Sequence, residues 1–118
     1  MIRHRFLAAV MGLEAVSLAV MSTLHLTGAL GERGNGAGIA EAVIGVALAA
    51  GAVALWRRGP DGRTLATQAL AFAIAGFLIG LSFTLRGGSA VDLAYHATGL
   101  PLLVLTLAAL RRQVTGAR

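Results

Sequence analysis

Four long apolar segments, at 6–30, 39–56, 64–85 and 93–110, leave a chain of 118 residues little choice but a membrane bundle. Each is close to the roughly 20 residues that a helix needs to cross a hydrocarbon core about 30 Å thick, the second and fourth being the shortest. Water does not reach backbone groups in that layer, so each segment must satisfy its own amides and carbonyls as a helix. The links between segments are short, which makes sequence neighbours antiparallel. The expected fold is therefore all-α: one polytopic domain, an antiparallel four-transmembrane-helix bundle in a lipid bilayer.

Composition narrows the chemistry. The chain is 57% hydrophobic and 13% charged, and its bulk of Ala, Leu, Val and Gly suits close helix packing in lipid. It has no cysteine, which removes disulfides and thiolate metal sites. Arg3-His4-Arg5 ahead of an apolar run imitates a secretory signal. Glu14 interrupts that run and the run is too long, so it reads as a retained transmembrane helix.

All ten basic residues are arginines, and they flank the apolar segments. Arg3, Arg5, Arg57, Arg58, Arg63, Arg111, Arg112 and Arg118 fall on one side; Arg33 and Arg86 fall on the other. The positive-inside rule places both termini and the middle link in the cytoplasm, which with a high-GC residue bias implies a bacterial plasma (inner) membrane. The net charge of +5 has the pattern of topology determinants, not of a nucleic-acid surface.

A shift of 54 positions lays 39–58 over 93–112, pairing Ala40 with Ala94, Gly45 with Gly99, Leu48 with Leu102 and Arg57-Arg58 with Arg111-Arg112. Leu24-His25-Leu26-Thr27 likewise lies over Leu81-Ser82-Phe83-Thr84. The pattern is that of two parallel helix-hairpin repeats or of shared composition. Gly76 and Gly80 form a GxxxG step, and the second segment is mostly small residues, from Ala40 to Ala54. Both features predict close approach within the bundle, to a second copy in a homo-oligomer, or to a partner membrane subunit.

Ionisable residues inside the spans are the functional candidates. On the first helix Leu7, Glu14, Leu18, Met21, His25 and Gly28 share a stripe, with Ser17 at its edge. Glu14 lies about 12 Å in from the arginine-rich side, with no Arg or His at its depth. A carboxyl there either exchanges a proton for a cationic ligand or sits as a neutral acid against a carbonyl, Ser17 or Gln68. Glu14, Ser17, Met21 and Gln68 form the candidate proton or ligand site.

A second group gathers toward the opposite side: His25, Glu41, Arg86, Asp92, Tyr95 and His96. Imidazoles and carboxylates of this kind suit a divalent metal such as zinc, with His25, Glu41 and His96 as candidate ligands. The histidines could instead grip a haem edge or a quinone headgroup. The alternative is an interfacial salt-bridge network, in which Arg86 pairs with Glu41 or Asp92 and the histidines reach water. Pro101 cannot donate to the Ala97 carbonyl, and with Thr98 and Gly99 it predicts a kink beneath this group. Trp56 and Tyr95 fall where interfacial aromatics usually sit. Gly34 to Gly38 follow no strand, which excludes a dinucleotide fingerprint, and no hydrolase triad or Walker motif points to an enzyme.

With its length, four helices and Glu14 in the first of them, the chain is similar to small multidrug-resistance transporters, which also carry one essential glutamate there. Gly12-Leu13-Glu14-Ala15-Val16 departs from that family's pattern, and its later aromatic positions are absent. The stretch Asp92-Leu93-Ala94-Tyr95-His96-Ala97-Thr98-Gly99-Leu100-Pro101-Leu102-Leu103 resembles uncharacterised four-helix integral membrane proteins of actinobacteria, a resemblance that implies the fold and no activity. Three functions remain open from the residues. They are a proton- or ion-coupled small-molecule carrier or binding protein using Glu14, an accessory subunit of a membrane complex, and an outer-facing metal or redox-cofactor site.

Overall fold

The computed structural model describes residues 2–31 and 36–116. It contains four helices: α1 (Ile2–Leu26), α2 (Gly36–Arg57), α3 (Gly62–Thr84) and α4 (Ala90–Thr115). All four are long and apolar enough to span a membrane. Leu13, Val16, Val46, Ile79, Phe83 and Leu105 are each more than half exposed, an outer surface that makes sense only against lipid. Arg33 and Arg118, which enter the arginine asymmetry, lie outside the described residues, as do Gly34 and Asn35 of the first link.

Each helix packs on its neighbour in sequence, and α1 meets α4 to close the ring. The bundle is 49 × 21 × 18 Å, long enough for a bilayer. At one end Arg5 lies over the Trp56 ring at 5.3 Å, and Arg63 donates to the Leu110 carbonyl at 2.7 Å. This arginine-rich end also holds the α2–α3 turn. There the Gly62 amide donates to the Gly59 carbonyl at 3.0 Å, and Asp61 has φ −94° and ψ 0°. Those values fit a type I turn with Pro60 leading, as the Pro-Asp-Gly sequence predicts.

Two boundaries differ from the hydropathy pattern. The first helix ends at Leu26, not at residue 30, because Gly28 adopts φ +73°. Ala29 donates to the Leu24 carbonyl and Gly28 to that of His25, the pair of bonds that closes a Schellman cap. Hydropathy is blind to this stop, since Ala29 and Leu30 are apolar. The fourth helix runs past Leu110 to Thr115, unbroken through Pro101, and Ser89 caps its start by accepting from the Asp92 amide at 3.1 Å.

The core occupies the bundle axis toward the arginine-rich end. Met11, Leu18, Leu48, Leu55, Leu70, Leu103 and Leu110 are fully buried there. Small residues let α2 and α3 close on each other: a Cβ at Gly51 would stand 2.8 Å from that of Ala69, and one at Gly62 only 2.5 Å from the Ala54 carbonyl oxygen. The helix α2 is not enclosed, however, since Ala42, Val46, Ala49 and Val53 face outward. The GxxxG step also serves differently from a backbone crossing. Gly76 makes room for the Ile44 side chain of α2, and Gly80 for the His96 imidazole of α4. Gly45 and Gly99, equivalent under the 54-residue shift, receive Leu18 and Phe77 from the preceding helices.

Gly51→Val should force α2 from α3 and lower stability by about 1–3 kcal/mol, read as the unfolding midpoint in SDS-titrated mixed micelles. Gly12→Ala, whose added methyl would meet nothing within 4 Å, should leave that midpoint unchanged or raised.

Candidate functional site

The end opposite the arginine-rich one is polar inside. The Schellman cap places His25 in the last turn of α1, two residues before the chain leaves the helix. Glu41 projects from α2, Thr84 is the last residue of α3, and Asp92 and His96 lie one turn apart on α4. All five are buried, with exposures of 2 to 7%. Burial at this level excludes the reading in which the histidines reach out to water.

The His25 imidazole lies between two carboxylates. Its Nδ1 is 2.7 Å from Glu41 Oε2, and its Nε2 is 3.8 Å from Asp92 Oδ2. Thr84 Oγ1 lies 3.0 Å from Asp92 Oδ2 and 2.9 Å from the Gly80 carbonyl, so one hydroxyl proton serves two acceptors. His96 Nδ1 lies 2.9 Å from the Asp92 carbonyl and 3.2 Å from Asp92 Oδ1. Both neighbours only accept, which assigns the proton to Nδ1 and the lone pair to Nε2 on the Gly80 side. One turn below His25, Ser22 donates to the Gly38 carbonyl at 2.7 Å.

One ligand atom each from His25, Glu41 and Asp92 lie within 4.8 Å of one another. Donors of a tetrahedral site with bonds near 2.1 Å stand about 3.4 Å apart, so modest side-chain rotation would close the three on an ion. One imidazole and two carboxylates suit divalent zinc, manganese, iron or cobalt. Asp92 Oδ1 is buried and has His96 Nδ1, at 3.2 Å, as its polar neighbour, without a well-aligned hydrogen bond among the described residues. His96 stands beside Asp92 and holds it through Nδ1, at 2.9 Å from its carbonyl and 3.2 Å from Oδ1. The geometry gathers Asp92 with His25 and Glu41, while His96, the third candidate from the sequence, contacts Asp92.

A cavity of about 1070 Å³ reaches this cluster from between α2 and α3. Glu41, Thr84, Asp92 and His96 form its polar end, and Arg86 lies exposed at its mouth. The carboxylates expected to pair with Arg86 turn inward to the imidazoles instead.

The other candidates separate from this cluster. Glu14 is 5% exposed, and neither carboxyl oxygen has a hydrogen-bond partner among the described residues. Ser17 Oγ donates to the Glu14 backbone carbonyl at 2.7 Å, so in its 2.7 Å contact with Tyr95 the phenol must donate. Tyr95 therefore points into the bundle, its ring against Phe77 and His96 at centroid distances of 5.5 and 5.9 Å, and is not an interfacial aromatic. Met21 is buried one turn before His25, while Gln68 is exposed beside Leu65 and Phe72 and does not reach Glu14's core. Sequence reasoning misses Thr84, Ser22 and Gly80 as parts of the site. Gly80 carries a signal, since a GxxxG glycine across from a histidine marks room for a ring.

No family model, curated protein or solved structure matches the chain.

Gly80→Ala should push its methyl into the His96 imidazole and break the Nδ1 contacts to Asp92. The expected result is a loss of about 1–3 kcal/mol, with His96 ring resonances displaced by NMR. Gly76→Ala, which meets only the flexible end of Ile44, should cost less.

Proposed function

We propose that this chain is a divalent-metal-binding multi-pass protein of the bacterial plasma membrane, holding a zinc-class ion on His25, Glu41 and Asp92. The observation that carries this reading is the convergence of three ligand side chains from three helices within 4.8 Å, each more than nine-tenths buried. Buried charges in an apolar medium are paired or coordinate a metal. Two carboxylates with neutral imidazoles leave an excess of negative charge, which a divalent cation balances. The arginine asymmetry supports cytoplasmic termini, with the metal toward the outer face. The exposed small residues of α2 support a contact with a second copy or a partner membrane subunit.

The test is metal binding by the full chain in phosphatidylcholine nanodiscs, with cobalt(II) as a coloured probe and zinc as competitor. Zinc-displaceable cobalt bands are expected, and Glu41→Gln and Asp92→Asn should each weaken binding at least tenfold. His4→Ala, at the other end, should change nothing. A wild-type chain that takes up neither ion rejects the reading.

A second reading rests on Glu14, whose two carboxyl oxygens are buried without hydrogen-bond partners among the described residues. It makes the protein a proton-coupled carrier in which Glu14 exchanges a proton as the cargo passes. Glu14→Gln should then abolish pH-driven cobalt flux into vesicles while leaving cobalt binding intact. Flux unchanged in that variant rejects the carrier.

A further inference from the structure

The metal cluster occupies one end of a space far larger than an ion and its waters require. At about 1070 Å³ the cavity is slightly larger than the roughly 300–1,000 Å³ typical of small-molecule sites. Its shape follows from the α2–α3 hairpin. The short turn at 58–61 and the Gly51–Ala69 and Gly62–Ala54 approaches hold the helices together at the arginine-rich end. The other end has no link between α2 and α3, and there the helices leave the space open.

The walls are apolar and face the bilayer. Val43, Phe72, Ile79 and Phe83 line the cavity and are each about half exposed or more, so it opens sideways into lipid. From Phe72 to Phe83 the α3 wall rises about 16 Å, the length of a medium alkyl chain. Its polar end is the face of Glu41 and Asp92 from which an ion's remaining coordination positions are reached.

Charge decides which headgroup fits. A divalent ion on two carboxylates and a neutral imidazole is electrically neutral. A ligand adding one negative charge is then balanced by Arg86 at the mouth, whereas a cationic headgroup meets an uncompensated guanidinium. We propose that the α2–α3 cavity binds a single-chain anionic amphiphile of the fatty-acid class, its carboxylate on the metal and near Arg86, its alkyl chain along Val43, Phe72 and Ile79. This rests on the metal reading above and assigns that site its ligand.

The test uses the cobalt-loaded full chain in phosphatidylcholine nanodiscs, titrated with dodecanoate and separately with dodecyltrimethylammonium. Dodecanoate should shift the cobalt absorption bands saturably, and the ammonium amphiphile should not. Ala75→Phe, which fills the cavity wall from a lipid-exposed position, should abolish the dodecanoate shift while cobalt alone binds as in the wild type. Arg86→Gln should weaken dodecanoate about fivefold. Cobalt bands that ignore dodecanoate, or that respond equally to both amphiphiles, overturn this inference and leave the metal reading standing. Absence of cobalt bands in the wild type overturns both.

Discussion

An imidazole held between two carboxylates, out of reach of water, is the arrangement on which this bundle depends. Apolar burial does little to hold helices together in lipid, because the solvent is as apolar as the side chains. What remains is close packing and the need of polar groups for one another. Isolated, Glu41, Asp92 and His25 would each face a large desolvation cost; together they offset part of it. Their positions on α2, α4 and α1 turn that need into a constraint on helix rotation and register. Thr84 brings α3 into the same agreement through Asp92.

The two ends of the bundle are thereby fixed by different physics. Toward the arginine-rich end, leucine and methionine fill the axis while Gly51 and Gly62 let backbones close. At the opposite end, directional bonds replace that packing and leave a cavity beside them. The α1–α4 seam shows the difference most clearly. These two helices make the slightest backbone approach of the four neighbouring pairs, and polar contacts bridge them: Ser17 with Tyr95, and His25 with Asp92. A hydrogen bond between helices in lipid is worth about 0.6–2 kcal/mol, enough to hold such a seam and little enough to release it.

The sequence discloses the spans, the antiparallel order and the polar group at one end because hydropathy and arginine placement encode them locally. It does not show where α1 ends, since Gly28's backbone angle decides that and Ala29 and Leu30 look like more helix. Shared depth pairs His96 with His25 and Glu41. Rotation about α4 is what brings Asp92 instead of His96 beside His25 and Glu41, and depth says nothing of rotation. Residue type places Tyr95 at the interface, whereas its hydroxyl is taken by Ser17 in the interior. Glu14 is legible as an ionisable group without a basic partner; that Gln68 points away from it is not, because a residue's helix face depends on which neighbours surround the helix.

Geometry also limits how the polar end and Glu14 can act together. Eleven residues separate Glu14 from His25, about 16 Å along the helix axis. Between them the Tyr95–Ser17 contact ends on the backbone of Glu14, not on its carboxyl. Beyond Glu14, Met11, Leu70, Leu103 and Leu110 fill the axis toward the arginine-rich end, so among the described residues the polar cluster meets the α2–α3 cavity and not the opposite end of the bundle. Binding needs nothing more than this conformation. The α1–α4 seam is the least closely packed of the four neighbouring pairs. Parting it gives up few packed atoms, and it separates His25 from Asp92, the same pair that an ion would bridge. The same seam thus carries both polar contacts between α1 and α4, His25 with Asp92 at one end and Ser17 with Tyr95 beside the Glu14 backbone, without any direct contact between the polar end and the Glu14 carboxyl.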